Sequence, residues 1–516
     1  MPQEFLRDMA LELDLSQAPV IAEDHRIHAV SIGSCYQLLQ ENVYQQLQKA
    51  AKECHFTHVH FRDVFCDLLN VYTEPVPNQP LITWDYIDDV IRKILDLGMT
   101  PYIEIGFMPR ELSATGETLG FGYHPCTGVP KSFALWEQLI RSFLDHYLKL
   151  YGIREMRNWR FDFWNSANIR SSDGYWNAER EEFFHLYSVT YRVFRDVAPE
   201  LKLGTPNFSL PSGYIWYEEF LKLCSRSDMS PDYLAAHLYS CNDGLQDFQG
   251  IFPYTTTYNY LSRTNMELIR DNLLRLRTML EEYGFGQIPI YISEWNISFY
   301  LSDLVRDTAF MATYIVRNWI GTLSLAECLT YSNLSDISEN TRPSPLLFPG
   351  SQGMFTRDSL PKPAYHALFL LHKLDREVIC DTDGCYITRG EAGWHILLYN
   401  MSDYKMDQER DPSFLSDDYR YHVFQRTDDV AFRGEFRIPY GSYQIVTYLL
   451  DQEHGCAYDA WIRMGSPEPL SSEIRQALLH ASCPDLHFEK RENIRTLKLQ
   501  KTLPAHSVML FEIRRL

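Results

Sequence analysis

Two short polar segments stand directly behind apolar, strand-like runs. Residues 164–168 have the sequence Trp-Asn-Ser-Ala-Asn, and residues 292–296 have the sequence Ile-Ser-Glu-Trp-Asn. Glu294 carries a carboxylate that can act as a nucleophile or carry a proton, whereas the Ser166 hydroxyl offers no labile proton at neutral pH. Barrel enzymes place their chemistry at the polar tips of buried strands. The two segments therefore predict one site that has a carboxylate on only one side.

Apolar runs alternate with longer amphipathic segments over about 300 residues. The strand-like runs lie at 28–32, 57–61, 101–105, 159–164, 201–204, 233–237, 288–292 and 328–331. Helical periodicity marks 39–54, 83–98, 134–151, 177–197, 214–226, 261–283 and 302–321. Eight strands alternating with helices predict an α/β fold, a (β/α)8 TIM barrel. A doubly wound open sheet is the alternative, although no Gly-x-Gly-x-x-Gly follows the first strand.

The pattern changes at about residue 346 to short alternating runs bounded by turn residues. Such runs at 385–388, 394–399, 443–448 and 508–513 predict a C-terminal β-sandwich. Residues 10–15 also alternate with period two and precede the barrel, so they are candidates for an extra strand of that sandwich. We expect an N-terminal strand segment at 1–25 packing on the sandwich, a barrel at 26–345 and the sandwich at 346–516.

Composition excludes several classes of protein. With 516 residues, of which 45% are hydrophobic, the chain can bury a large core, and its net charge of -20 disfavours direct nucleic-acid or anionic-membrane binding. No apolar run approaches the ~20 residues of a membrane span, and the start lacks the pattern of a signal peptide. The 11 Cys form no Cys-x-x-Cys pair, which favours reduced thiols in a cytoplasmic protein. We expect no metal and no cofactor.

The motifs together resemble those of glycoside hydrolase family 39, the β-xylosidase family. Residues 164–168 resemble its Trp-Asn-Glu-Pro-Asn motif, whose Glu is the general acid/base, and residues 292–298 resemble its nucleophile segment. The other similar segments, in family order, are 65–67, 71–72, 104–109, 232–239, 336–339, 451–455 and 461–465. The resemblance implies a barrel followed by a sandwich, retaining β-glycosidase activity and a carbohydrate ligand.

The resemblance also implies roles for single residues. Glu294 stands at the nucleophile position, and Ser166 stands where the acid/base Glu is missing. Arg62 replaces a His that usually contacts the sugar, and Asn165 is expected either to bind the sugar 2-hydroxyl or to cap its strand. The residues expected to bind substrate are Asn165, His237, Tyr239, Glu339, Asp67, Arg62 and Trp295.

Two other carboxyl groups lie close in sequence to Ser166, the position without the expected carboxyl. Asp162 lies on the same strand face but deeper in the barrel, where a hydrogen-bonded core role is favoured. Asp173 lies in the following loop and is the alternative proton donor.

Two functions follow from these observations. The first is a retaining glycosidase with impaired hydrolysis. The second is a catalytically inactive sugar-binding or sensing domain, because domains of this family also occur behind AraC-type helix-turn-helix segments in transcription regulators. The missing acid/base favours the second, and family membership favours the first. The sequence does not identify the sugar or the linkage, and it does not tell whether any hydrolysis survives. It leaves the oligomeric state open, with a homo-oligomer as one possibility. It also leaves open whether the chain is a domain of a larger regulator.

Overall fold

The computed structural model of the chain describes residues 7–116, 118, 124–169, 175–241, 266–299, 302–337, 346–402, 420–421, 424 and 428–516. Strands alternate with helices up to residue 371, and strands dominate the rest of the described chain. The strands of the first part are β1 (Arg7–Asp14), β2 (Ala22–Glu23), β3 (Ile27–Ser34), β4 (His58–Arg62), β5 (Tyr72–Val76), β6 (Gln79–Ile82), β7 (Thr100–Ile105), β8 (Arg160–Phe163), β9 (Lys202–Pro206), β10 (Phe208–Ser209), β11 (Leu234–Tyr239), β12 (Ile290–Asn296) and β13 (Cys328–Ser332). The helices are α1 (Glu41–Cys54), α2 (Asp85–Asp96), α3 (Phe133–Met156), α4 (Arg180–Val197), α5 (Tyr214–Ser227), α6 (Leu268–Glu282), α7 (Phe310–Gly321) and α8 (Pro363–Leu371).

Nine of these strands form one parallel sheet in the order β10–β11–β12–β13–β3–β4–β7–β8–β9. β9 and β10 share one strand position and are separated by Asn207; β9 pairs with β8, and β10 pairs with β11. The sheet therefore closes on itself as a barrel with eight strand positions. This closure confirms the predicted (β/α)8 barrel, and each predicted strand overlaps one of the eight positions.

Amphipathic helices cover the barrel with apolar faces that have helical spacing, whereas α7 and α8 are buried on nearly all sides. In α2, the buried side chains are Ile87, Val90, Ile91 and Ile94, a single stripe along the helix. Burying each such side chain contributes roughly 1.5–3 kcal/mol. Helix α8 packs against α1 and α7 and completes the outer layer on that side.

The interior of the barrel is packed in layers. Near the amino ends of the strands, the rings of Tyr233 and Tyr291 stack with their centroids 4.2 Å apart. This layer consists of Ala29, Tyr102, Tyr233, Ala235, Tyr291 and Cys328. Polar side chains replace apolar ones toward the carboxyl ends of the strands, so the polar site lies at that end of the barrel.

The C-terminal part is a strongly curled sheet. Its strands are β14 (Glu377–Thr382), β15 (Cys385–Gly390), β16 (Gly393–Asn400), β17 (Val430–Leu450), β18 (Asp485–Leu503) and β19 (Ser507–Arg515), and two helices, α9 (Ala457–Arg463) and α10 (Ser472–Ala481), follow β17. The strand order is β1–β17–β19–β16–β15–β14–β2, with β18 paired to β17. Ile387, Leu398, Phe432 and Phe511 belong to a second core enclosed by the sheet. The predicted sandwich-like domain after the barrel is confirmed in this curled form.

The N-terminal strand belongs to the same sheet. β1 runs parallel to β17, with Arg7 opposite Val430 and Asp14 opposite Arg437. In the described part of the chain, no helix has both the length and the apolarity needed to cross a membrane.

Candidate active site

Buried polar side chains converge at the carboxyl ends of the barrel strands. Seven strand positions each contribute one of them: Arg62, Glu104, Ser166, Asn207, His237, Glu294 and Ser332. Parallel strands place their carboxyl ends at one face of the barrel, which explains why residues far apart in sequence meet there.

Glu294 is held at this face by three groups from its two neighbouring strands, β11 and β13. The Tyr239 hydroxyl donates a hydrogen bond of 2.7 Å to Oε1, and the Ser332 hydroxyl donates one of 2.9 Å to the same oxygen. Nδ1 of His237 lies 3.6 Å from the other oxygen, Oε2. One carboxylate oxygen is therefore anchored, while the other faces His237.

A local irregularity in β12 aims Glu294 into the barrel. Ala236 pairs with Ile292 and His237 pairs with Glu294, so Ser293 is an extra residue in the ladder. Such a bulge shifts the alternation of side chains by one position. Both Ser293 and Glu294 consequently make polar contacts inside the barrel, and Trp295 points outward.

The surroundings keep Glu294 ionised. Burial by itself raises the pKa of this carboxyl, but His237, Arg62 and the hydrogen bonds from Tyr239 and Ser332 outweigh it and lower the pKa below 4.5. Burial also lowers the pKa of His237 to about 4. His237 is thus uncharged at neutral pH. There the Arg62 charge and the two hydrogen bonds stabilise the ionised form of Glu294.

Ser166 and Glu294 lie at the same edge of the His237 ring. The Ser166 Oγ lies 3.0 Å from His237 Nδ1, the same nitrogen that faces Glu294. The Ser166 backbone is left-handed, with a φ of 43°. Two residues earlier, the buried Trp164 ring is anchored by a 2.7 Å hydrogen bond from Nε1 to the carbonyl of Tyr175. This bond fixes the chain just before Ser166.

The floor of the cleft is a buried amide–carboxyl network. Asn207 Nδ2 donates to Glu104 Oε2 over 2.7 Å and to Asp162 Oδ2 over 3.1 Å, and Asn207 Oδ1 accepts from Ser293 over 2.8 Å. Asn165 Nδ2 adds a 3.5 Å contact to Glu104 Oε2. Burial raises the pKa of Glu104 well above its usual range, despite the opposing charge of Arg62.

Asp162 belongs to this floor and not to the Ser166 side of the cleft. Its side chain is fully buried beside His60, with 3.8 Å between His60 Nε2 and Oδ2. Burial raises its pKa to about 7, although several hydrogen bonds, including that from Asn207, oppose the shift. The carboxyl thus has the buried, hydrogen-bonded environment expected of a core group.

The remaining predicted residues occupy different environments. Arg62 is buried at the cleft beside Asp63, with 3.5 Å between its Nε and Oδ2. Asp67 is exposed in the loop after β4 and accepts a 3.1 Å hydrogen bond from the Arg110 backbone. Trp295 lies outside the barrel wall, its ring packed against Tyr314 of α7 and Tyr331. Glu339 and Asp173 lie outside the described residues.

No group of three or more His, Cys, Asp or Glu side chains in the described ranges is arranged to hold a metal ion. The polar cluster is instead a set of hydrogen-bonding groups around one ionised carboxylate. Such a set suits a ligand rich in hydroxyl groups.

Sequence comparison decides the family. The profile of "Glycosyl hydrolases family 39" matches residues 23–495. The chain belongs to glycosyl hydrolase family 39. The match spans the barrel and most of the curled sheet, so the family 39 assignment covers both parts of the fold.

Two β-xylosidase sequences and one β-xylosidase crystal structure resemble the chain along almost its whole length. A "Beta-xylosidase" of Caldicellulosiruptor saccharolyticus is 28% identical over 525 residues, covering 98% of this chain and 99% of its own. A "Beta-xylosidase" of Geobacillus stearothermophilus is 25% identical over 495 residues, covering 94% and 91%. The crystal structure of a monomeric β-xylosidase from Caulobacter crescentus CB15 superposes with a TM-score of 0.85 at 25% identity, covering 98% and 99%.

Several residues of the cluster carried no predicted role in the sequence. Glu104 lies in a family-like segment, but its buried position in the cleft floor emerges only from the fold. Asn207, Ser332 and His60 were not singled out at all. Asn207 directly follows β9 and Ser332 ends β13, so a systematic search for polar residues at strand ends would have found both.

Proposed function

We propose that this chain is a β-xylosidase-type retaining glycosidase scaffold whose hydrolysis is impaired because Ser166 replaces the general acid/base. The observation that carries the proposal is the pair of side chains that meet at Nδ1 of His237. One is the anchored, ionised Glu294; the other offers only a hydroxyl.

Retaining hydrolysis proceeds through two displacements. In the first, the nucleophile carboxylate attacks the anomeric carbon while the acid protonates the departing oxygen; in the second, the same residue deprotonates water. Glu294 is suited to the attack because its pKa is low and Oε1 is anchored. Ser166 cannot supply the proton to an alkoxide leaving group, so glycosides of ordinary alcohols and sugars should react very slowly.

An activated glycoside separates the two displacements. With 2,4-dinitrophenyl β-xyloside, whose leaving group needs no proton, Glu294 should form a glycosyl-enzyme and release a burst of phenolate. Slow turnover should follow, because water is poorly activated. Azide attacks without deprotonation and should accelerate that turnover. The adduct should map to Glu294 by mass spectrometry, and Glu294→Gln should abolish the burst.

Two results would contradict the proposal. Rapid hydrolysis of an unactivated disaccharide that azide does not affect would mean that another group, such as Asp173, supplies the proton. Absence of a burst with every activated substrate, together with sugar-dependent thermal stabilisation, would support the sensor function instead. A thermal-shift screen against monosaccharides and short oligosaccharides detects binding in either case.

A further inference from the structure

His237 has a contact on each of its ring nitrogens. Nδ1 lies 3.0 Å from Ser166 Oγ, and Nε2 lies 3.8 Å from Glu104 Oε2. The ring is 1% exposed, and Nε2 has no hydrogen-bond partner among the described residues. The imidazole therefore lies between the hydroxyl at position 166 and a buried carboxyl group on the other side.

In the glycosyl-enzyme, where Glu294 is esterified and no longer presents a negative charge to Nδ1, these neighbours favour one tautomer of the neutral ring. A proton on Nε2 points toward the carboxyl oxygen of Glu104, which is an acceptor. Nδ1 then keeps its lone pair and accepts a hydrogen bond from the Ser166 hydroxyl. The Ser166 oxygen in turn has free lone-pair capacity for a further donor, such as a water molecule in the cleft.

We propose that Ser166 and His237 form a proton relay that activates water in the second displacement and partly replaces the missing carboxylate. The relay deepens the proposed function and rests on it, because it acts on the glycosyl-enzyme formed at Glu294. It makes His237 a positioning residue that works through Ser166.

In the proposed step, water displaces Glu294 from the anomeric carbon, and its proton leaves through Ser166. A water oxygen forms a bond to the anomeric carbon while the bond from that carbon to the Glu294 carboxylate oxygen breaks, and the electron pair returns to the carboxylate. The water proton passes to Ser166 Oγ as the hydroxyl proton of Ser166 moves to His237 Nδ1. The imidazolium then returns its proton to solvent through the same hydroxyl.

The charged groups around His237 make the relay work in one direction. Glu294 and Glu104 face the ring from β12 and β7, and Arg62 and His60 approach from β4. Burial lowers the pKa of His237 to about 4, with Glu294 opposing and Arg62 reinforcing the shift. Esterification of Glu294 removes that opposing charge, so the ring stays neutral. Its low pKa makes it a weak base, so the relay replaces the carboxylate only in part, and with Nδ1 unprotonated the ring is not a proton donor for a leaving group.

The test is pre-steady-state kinetics of the full chain with 2,4-dinitrophenyl β-xyloside. His237→Gln and Ser166→Ala should each lower the turnover that follows the burst by ~10²-fold. The double variant should be no slower than His237→Gln alone, because both changes interrupt one path. Azide should bring all three variants to similar rates, since it needs no base. His146→Gln, which removes a half-buried histidine on α3 that pairs with Asp88, is the matched control and should change neither phase.

The pH dependence separates the relay from a structural role. The turnover after the burst should stay constant from neutral pH downward and decline only as His237 becomes protonated, near pH 4 in the free enzyme. His237→Gln should lack that decline. If the burst forms but both variants turn over as fast as the parent, the relay is wrong while the proposed nucleophile stands. If both variants lose the burst itself, the two residues position Glu294 and the relay is also wrong. Absence of a burst in the parent refutes the proposed function instead.

Discussion

At the scale of single residues, the cleft gives Glu294 the environment that the proposed nucleophile needs, whereas residue 166 offers only a hydroxyl. Glu294 retains two hydroxyl donors on one oxygen, and the buried Arg62 charge helps to lower its pKa. Residue 166 follows the buried, anchored Trp164 in a left-handed backbone conformation and carries only the short serine side chain.

Ser166→Glu should restore a proton carrier at the position facing Glu294. We expect hydrolysis of an aryl β-xyloside to rise by ~10²–10⁴-fold, the usual contribution of general acid–base catalysis. Initial rates with p-nitrophenyl β-xyloside measure the change. The variant that also carries Ala167→Pro is the comparison, since it restores more of the family motif. If neither variant hydrolyses any β-glycoside, the cleft has diverged beyond this one side chain.

Tyr239→Phe should move the acidic limb of the burst rate to higher pH. The hydroxyl stabilises the charged form of Glu294, so its loss raises the pKa of the carboxyl, and more of the nucleophile is protonated at a given acidic pH. Ser332→Ala removes the second donor and should act in the same direction. Burst rates with dinitrophenyl β-xyloside across the acidic range provide the test; an unshifted limb in both variants would mean that these hydrogen bonds do not set the ionisation of Glu294.

At the scale of an element, β12 shows how one extra residue divides a motif between two environments. The bulge at Ser293 turns Glu294 into the barrel, and Trp295 then packs on α7 beside Tyr314. The aromatic ring next to Glu294 therefore supports the strand from outside. Its position contrasts with the substrate contact expected from the sequence.

Trp295→Ala should destabilise the fold by about 3–5 kcal/mol, the usual range for removing a large aromatic side chain from a core. Trp295→Phe keeps much of the packing and should retain both the burst and the substrate concentration at which it is half-maximal. Urea unfolding and burst titration measure the two effects. A large rise in that concentration for Trp295→Phe, without loss of stability, would show that the indole contacts the sugar.

At the scale of the whole molecule, a buried charged network joins the barrel to the chain beyond it. Asp307 follows β12; its Oδ1 lies 2.7 Å from Lys362 Nζ, next to α8, and its Oδ2 lies 2.8 Å from Arg420, between β16 and β17. Lys362 also reaches Asp336 over 3.1 Å. All four side chains are almost completely buried, so each charge depends on its partners.

Asp307→Asn should lower the free energy of unfolding at neutral pH by about 3–5 kcal/mol, because two buried cations lose their shared anion. Lys362 and Arg420 outweigh burial and lower the pKa of Asp307. Its contribution is therefore present above the unfolded pKa near 3.8 and is lost as the pH falls through the folded pKa. Urea unfolding from neutral to acidic pH tests both points. Asp383→Asn, at an exposed pair with Arg7, is the control and should have no measurable effect.

The sequence by itself determined the features that contiguous residues encode. Hydrophobic periodicity predicted the barrel strands, and local motifs placed Ser166 and Glu294 directly after or within those strands. The absence of a carboxyl at residue 166 is likewise a property of the chain alone. Such features are local, so no knowledge of the packing is needed to recognise them.

The tertiary structure decided which side chains meet. Asn207, Ser332 and Glu104 come from three separate strand positions, and only closure of the barrel brings them to one cleft. Period-two alternation cannot place both Tyr291 and Glu294 inside the barrel; the bulge does so, and it also sends Trp295 outward. The physical reason is that a bulge and a closed sheet are set by pairing between distant strands, which the local residue pattern does not specify.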